Sequence, residues 1–180
     1  MHALRRRTLL ALPLAGGLAR AQRSAPPEVR EALGEARLQG EGRLRFLGLS
    51  IYEIRCWTTQ ALSAEAALQQ PLALEIAYQR ALVGSLIAER SLTEMQRGGP
   101  LDEATGERWL ARMKQLFPDV QAGDRITGLH QPGQGARFYL NGRATGEVAD
   151  AAFARRFFGI WLAPHTSEPA LRQQLLGLSR

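Results

Sequence analysis

Residues Phe138 to Leu162 read FYLNGRATGEVADAAFARRFFGIWL, and the apolar pattern changes its period inside this one stretch. Phe138 and Leu140 stand two apart, as on one face of a strand, and Asn141-Gly142 is the pair a two-residue hairpin turn selects because both positions need positive φ. From Ala151 onward Phe153, Phe157, Ile160 and Trp161 fall at helical spacing, with Phe158 on the flank and Arg155 and Arg156 as the polar edge. That much aromatic bulk on one helix marks it as the main contact between a helical layer and a sheet.

Working outward, Arg125 to Val148 reads as a three-stranded meander, turned at Pro132-Gly133-Gln134-Gly135 and at Asn141-Gly142. Upstream, Leu44, Phe46, Leu49, Ile51 and Ile54 are interleaved with polar residues, with glycines at 40, 42 and 48 as turn or bulge markers. This predicts a hairpin or bent strand pair over Ala36 to Trp57. Leu72, Leu74, Ile76 and Tyr78 alternate with Ala73, Glu75 and Ala77 and predict a half-buried strand. The spacing of Leu82, Val83, Leu86 and Ile87 predicts a helix over Arg80 to Gln96, stopped by Gly98-Gly99-Pro100. Asp102 caps the next helix, whose apolar face is Trp109, Leu110, Met113, Leu116 and Phe117, with Pro118 as its end. A last helix covers Pro169 to Leu176, with Gly177 as C-cap. Periodicity does not decide Ser24 to Glu35. Strands, helices, strands and helices in this order predict an α+β fold with helices on one face of an antiparallel sheet, as a single domain over residues 22–180.

The chain has 180 residues, 45% of them hydrophobic and 22% charged, with a net charge of +6. Four of the arginines behind that charge (Arg5, Arg6, Arg7 and Arg20) lie in the first 21 residues with no acid among them, so the rest of the chain carries +2. The basicity is therefore no footprint for nucleic acid, which needs a basic face on the folded domain. Residues 1–21 read as a secretory signal peptide: a basic start, the apolar run Thr8 to Leu18, and Ala19-Arg20-Ala21 as the cleavage pattern. Arg6-Arg7-Thr8 followed by two leucines also fits a twin-arginine signal. A periplasmic or secreted protein is expected, without an integral membrane segment once the signal is removed. The single cysteine, Cys56, excludes an internal disulfide framework and reads as a buried apolar residue.

Familiar catalytic patterns are missing. His130 and His165 are far apart and have no neighbouring ligand cluster, so no metal is expected. Gly40-Glu41-Gly42 and Gly133-Gln134-Gly135 lack the third glycine of a dinucleotide fingerprint and read as turns; no cofactor is expected. Ser85 lacks the second glycine of a nucleophile elbow. What remains is a set of arginines at awkward places. Arg90 continues the apolar stripe of Val83, Leu86 and Ile87, so it must reach water, pair with an acid, or meet an anionic ligand. Arg156 on the aromatic helix carries the same alternatives. Tyr78 and Tyr52 read as core aromatics whose hydroxyls also suit a bound carboxylate.

The order of elements resembles the chalcone isomerase-like family, and within it the bacterial exported branch. The residues that carry the resemblance are GRLRFLGLSIYEIRCW (42–57), LALEIAYQR (72–80), RWLARMKQLFPDVQAGDRI (108–126), FYLNGRATGEVADAAFARRFFGIWL (138–162) and SEPALRQQLLG (167–177). The phrases FPDV, AGD and FFGIWL, in that order, characterise the branch. The resemblance implies an open-faced β-sandwich with a ligand cleft between a large antiparallel sheet and a helical layer.

Plant members that cyclise chalcones use an arginine before the first core strand pair, a threonine within it, a tyrosine and an asparagine on the first helix, and a hydroxyl on the aromatic helix. Arg37 matches the arginine, whereas Leu47, Val83, Arg90 and Arg156 stand at the other four positions. Chalcone isomerase activity is therefore not expected. Relatives that bind fatty acids hold the carboxylate with an arginine and a tyrosine. The leading expectation is an exported protein that binds a small amphipathic anionic molecule, fatty-acid-like, through Arg37, Arg90, Arg156 and Tyr78. The alternatives are an isomerase of the intramolecular lyase type acting on an enone or phenolic substrate, and a non-catalytic envelope scaffold whose cleft is filled by its own side chains.

Overall fold

Six antiparallel strands pair in chain order in a computed structural model that describes residues 23–178. They are β1 (Arg37–Phe46), β2 (Leu49–Thr58), β3 (Leu72–Tyr78), β4 (Arg125–Gln131), β5 (Gly135–Leu140) and β6 (Arg143–Val148). The helices are α1 (Pro27–Leu33), α2 (Gly84–Met95), α3 (Glu103–Leu116), α4 (Ala151–Leu162) and α5 (Pro169–Leu175). The signal-peptide reading of residues 1–21 lies outside the described residues. Among the described residues no helix is long and apolar enough to cross a membrane.

The inner face of the sheet, carrying Ile54, Cys56, Leu72, Leu74, Ile76, Ile126 and Phe138, meets α4. Phe157 stands edge-on to Phe138 at 5.1 Å and stacks on Phe153 at 5.6 Å, and Phe117 is edge-on to Phe138 at 5.1 Å. Gly128 leaves room for this contact, since a Cβ there would meet the Phe138 and Phe158 rings at 3.3 Å. Asp150 caps α4 by accepting from the Ala152 and Phe153 amides at 2.8 and 3.0 Å. The same carboxylate accepts from Trp109 Nε1 at 3.0 Å, tying α3 to the start of α4. At the β1 edge α5 lies directly on the strand, because a Cβ at Gly40 would overlap the carbonyl groups of Gln174 and Leu175.

The undecided segment Ser24 to Glu35 contains α1, which covers part of the outer face. Ala25 and Val29 pack there on Trp57, Ala73 and Leu129. Glu28 of α1 and Glu75 of β3 are both buried, so the β3 strand is enclosed on both faces rather than half-buried. Glu28 Oε1 accepts from Thr127 Oγ1 at 2.8 Å and pairs with Arg125 at 3.0 Å. Glu75 accepts from Trp57 Nε1 at 2.8 Å and pairs with Arg55 at 3.3 Å. These partners offset the cost of burying the two carboxylates, although Glu28 Oε2 itself has no hydrogen-bond partner among the described residues.

One expected boundary moves. The helix predicted from Arg80 begins at Gly84, because Leu82 makes an isolated two-residue bridge to Val120, with amide-to-carbonyl distances of 3.0 and 2.9 Å. The Gly84 amide donates to Asp119 Oδ1 at 2.8 Å, which supplies the cap that Val83 cannot.

His130 is a buried polar group of the core. Its ring packs on Phe158 at 4.9 Å, Nε2 donates to the Leu68 carbonyl at 2.9 Å, and Nδ1 has no partner among the described residues. Burial pushes its pKa below the ordinary 6.5, partly opposed by the Leu68 hydrogen bond. The unfolded chain therefore binds this proton more readily than the folded one. Stability is complete above about pH 6.5 and falls as the pH drops through and below that value. Thermal melts between pH 7.5 and 5 will show this fall, and His130→Gln, which keeps a donor for Leu68, will flatten the part of the slope between pH 6.5 and 5.

Candidate functional site

Three sequence motifs meet around one end of the sheet. In the FPDV segment, Phe117 enters the core, Asp119 caps α2 and Val120 bridges to Leu82. In the AGD segment, Gly123, at φ +96, donates to the Tyr78 carbonyl at 2.9 Å, and the Tyr78 amide donates to the Asp124 carbonyl at 2.8 Å. Asp124 in turn accepts from Gln121 N and Asn141 Nδ2. These contacts hold the end of β3 and the start of α2. In FFGIWL, the residues Phe157, Ile160 and Trp161 face the space that remains.

That space is an apolar cavity of about 390 Å³, open to the surface. Such a volume falls in the range that small-molecule sites occupy. Its floor is the inner face of β1 to β4 at Leu44, Tyr52, Ile76, Tyr78 and Ile126, and its roof is α2 at Leu86, Ile87, Arg90 and Glu94. α2 rests on α3 and α4, and the cavity lies between it and the β1–β2 end of the sheet.

Few polar groups enter this wall. Tyr52 and Tyr78 are cross-strand neighbours with ring centroids 6.1 Å apart. Tyr52 Oη accepts from Trp161 Nε1 at 2.9 Å, which leaves the phenolic proton free to be donated. The Tyr78 hydroxyl has no hydrogen-bond partner among the described residues, although the residue is only 4% exposed. Burial pushes the Tyr52 pKa up to about 12 and raises that of Tyr78 further, with Tyr52 adding to the effect. Both phenols stay neutral at physiological pH and offer O–H groups inside an apolar cavity. At the rim, Arg90 is exposed and pairs with Glu94 at 2.7 Å. The Glu94 side chain is largely buried, with Arg97 3.7 Å from its second oxygen. Arg45 and Glu168 complete the rim, and neither has an ion-pair partner among the described residues.

Of the residues expected at the site, the structure brings together Arg90 and Tyr78, while Arg37 and Arg156 lie elsewhere. Arg37 begins β1, opposite Thr58, at the far end of the strand from Leu44. Seven residues of extended chain separate the two, roughly 23 Å. Arg156 faces the α2–α3 connection, where Nη1 donates to the carbonyls of Met95 (3.3 Å) and Gly99 (2.8 Å) and Nη2 to that of Pro100 (3.0 Å). It satisfies helix-end carbonyls and is not part of the cavity wall. Val83 lines the cavity, whereas Leu47 sits at the exposed tip of the β1–β2 hairpin. Arg45 was not anticipated because strict alternation turns it outward. It is exposed as that alternation requires, and its side chain borders both the cavity mouth and the polar groove of Arg43 and Glu53, beside a register shift between Leu44 and Arg45. Tyr52 was visible as an aromatic, but its link to Trp161 spans the whole fold.

Among the described residues no group of three or more His, Cys, Asp or Glu side chains is placed to hold a metal ion. Cys56 is fully buried, and burial pushes its thiol up to about 12, so it is no nucleophile at neutral pH.

Arg156→Ala removes three donor contacts to carbonyls, worth about 1–3 kcal/mol in a charged hydrogen-bond group of this kind. Denaturant unfolding will show that loss, while any ligand-induced stabilisation measured on the same variant will be retained.

The fold has known counterparts. A crystal structure of a fatty-acid binding protein from Arabidopsis thaliana superposes with a TM-score of 0.59 at 13% identity, covering 85% of this chain and 89% of that one. At that identity the likeness is one of fold. An uncharacterized protein of Haemophilus influenzae is 31% identical over 112 residues, 62% of this chain and 54% of that protein. The chain thus spans about half the length of that curated relative. The sequence profile described as chalcone isomerase-like matches residues 35–177, from the start of β1 through α5. The chain belongs to the chalcone isomerase-like family.

Proposed function

We propose that the protein binds a small amphipathic anionic molecule, fatty-acid-like, in the cavity between α2 and the sheet. The observation that carries this reading is the apolar cavity itself, open at one side and edged by Arg45, Arg90 and the two phenols. An acyl chain or flat apolar body fills the space between Leu44, Ile76, Ile87 and Ile160, where burial supplies about 25 cal/mol for each Å² removed from water. The head group then meets Arg90 and Arg45 at the rim, with Tyr52 and Tyr78 as neutral donors further in. Glu94 already balances Arg90, so among the described residues Arg45 is the rim cation left for an anionic group. The fold shared with a fatty-acid binding protein supports the same reading. An isomerase of the intramolecular lyase type has less support, because the plant-type polar set is largely replaced. A scaffold with a self-filled cleft is disfavoured by the open cavity.

The test is a thermal shift with a saturated and an unsaturated long-chain fatty acid. At about 100-fold the dissociation constant, stabilisation near 2.7 kcal/mol raises the Tm by about 5–10 °C. Arg45→Ala removes more than half of the rise, and Arg90→Ala, whose charge Glu94 already balances, removes less. No shift with any acyl or aromatic acid sinks the proposal.

We also propose export to a periplasmic or extracellular space, supported by the basic-then-apolar pattern of residues 1–21. N-terminal sequencing of protein expressed with its own leader will start at Gln22, whereas an intact Met1 excludes cleavage.

A further inference from the structure

Of the six large apolar side chains exposed among the described residues, three line one opening and two more, Leu47 and Leu49, stand beside Phe46 on the same hairpin. Phe46, Leu47 and Leu49 form the tip of the β1–β2 hairpin and are 66%, 85% and 53% exposed. Val83 and Leu86, on the α2 side, form the opposite lip. Phe46, Val83 and Leu86 all line the cavity mouth. Isolated surface leucines need no explanation, but a cluster of this kind around one opening does.

The tip is also costly in backbone terms. The turn Leu47-Gly48 has φ values of +48 and +80, and Asn141-Gly142 has +49 and +83. The same chain thus builds the same turn twice. In one place it uses the asparagine that tolerates this conformation, and in the other a leucine that does not. Leu47 gains nothing from the fold in return, since its side chain is in water. A side chain that is both strained and exposed is explained by something it contacts outside the fold.

The charges beside the tip indicate what that is. Arg45 at the mouth and Arg80 just before the α2 lip are exposed and have no ion pair among the described residues, while Arg43 below the tip is held by Glu53. Glu168 is the one unpaired acid on the rim among the described residues. We infer that the cavity mouth is a membrane-docking surface: the Phe46–Leu49 tip and the Val83–Leu86 lip enter the headgroup region of an anionic bilayer, with Arg45 and Arg80 at the phosphates. Apolar side chains projecting from a narrow tip, flanked by free arginines, match such an interface better than a flat protein partner. Docking also places the mouth where an acyl chain passes from bilayer to cavity without crossing water. That last step rests on the ligand-binding reading above, whereas the docking itself does not.

The test reports from the tip, so that the apolar N-terminal run does not enter it. Leu47→Cys and Arg37→Cys chains are labelled with an environment-sensitive fluorophore, Cys56 being fully buried. They are then mixed with vesicles of phosphatidylcholine containing 30% phosphatidylglycerol or none. Docking gives at least a twofold rise in emission at position 47 with the anionic vesicles. It gives no change at position 37, at the other end of β1, and the rise shrinks with Arg45→Gln plus Arg80→Gln. In co-sedimentation, Phe46→Ser plus Leu47→Asn weakens binding at least tenfold. Leu47→Asn alone leaves the Tm unchanged or higher, so that loss of binding is not loss of fold. Equal responses at 47 and 37, or no response at 47, overturn the proposal. So does a wild-type dimer in sedimentation velocity that the tip variant abolishes, which would assign the surface to a second copy of the chain. The fatty-acid melt is read without vesicles, so failure of docking and failure of ligand binding are seen separately.

Discussion

The packing of the α4 aromatics on the middle of the sheet is the contact from which the rest of the molecule takes its position. Phe153, Phe157 and Phe158 meet Phe117, Phe138 and His130 in a set of edge-to-face and stacked rings. Each such pair adds about 0.5–1.5 kcal/mol beyond the burial of its surface. The rings are rigid and have defined preferred angles, so they set the height of the helix over the strands. α2 and α3 then take their height from α4, through Arg156 on the α2–α3 connection and through Asp150 on Trp109.

A cavity follows from that arrangement. The phenylalanine rings fill the gap between α4 and the strands β4 and β5, whereas under α2 the Tyr52 and Tyr78 rings lie in the floor and leave the space above them open. The motif residues around the opening, Asp119, Val120, Gly123 and Asp124, bond backbone to backbone or cap a helix. They keep the cavity in shape and supply no reactive group. The chemistry inside is correspondingly sparse: two neutral phenols, an indole N–H and a rim of arginines and acids in an apolar wall. Such a set suits holding and orienting an amphipathic molecule.

Much of this arrangement is legible in the residues. The switch from a two-residue to a helical period between Leu140 and Phe153 gives the hairpin and the aromatic helix directly, and Asp102 and Gly177 mark helix ends found where they stand. Arg90 at the end of an apolar stripe and Tyr78 on a buried strand are visible for the same reason: periodicity says which way a side chain faces. Periodicity fails where the backbone departs from it. Beside the register shift at Leu44–Arg45, Arg45 borders both the outer polar groove and the cavity mouth, and the bridge between Leu82 and Val120 replaces a turn of helix. Arg37 and Arg156 failed as cavity residues for another reason. Alignment to a family places a residue along an element, but here one lies at the wrong end of its strand and the other finds nearer carbonyl acceptors.

The sequence by itself determined the class of fold, the order of its elements, the aromatic contact at its centre and the exclusion of disulfide, metal-motif and nucleotide-motif chemistry, because local period, turn residues and composition are properties of neighbouring residues. Only the tertiary structure decided that a cavity stays open beneath α2, that Tyr52, Tyr78 and Trp161 share its wall, and that exposed apolar side chains and exposed arginines gather near its mouth. Those facts depend on how far apart two packed layers come to rest, and that distance is set by side chains far apart in the chain.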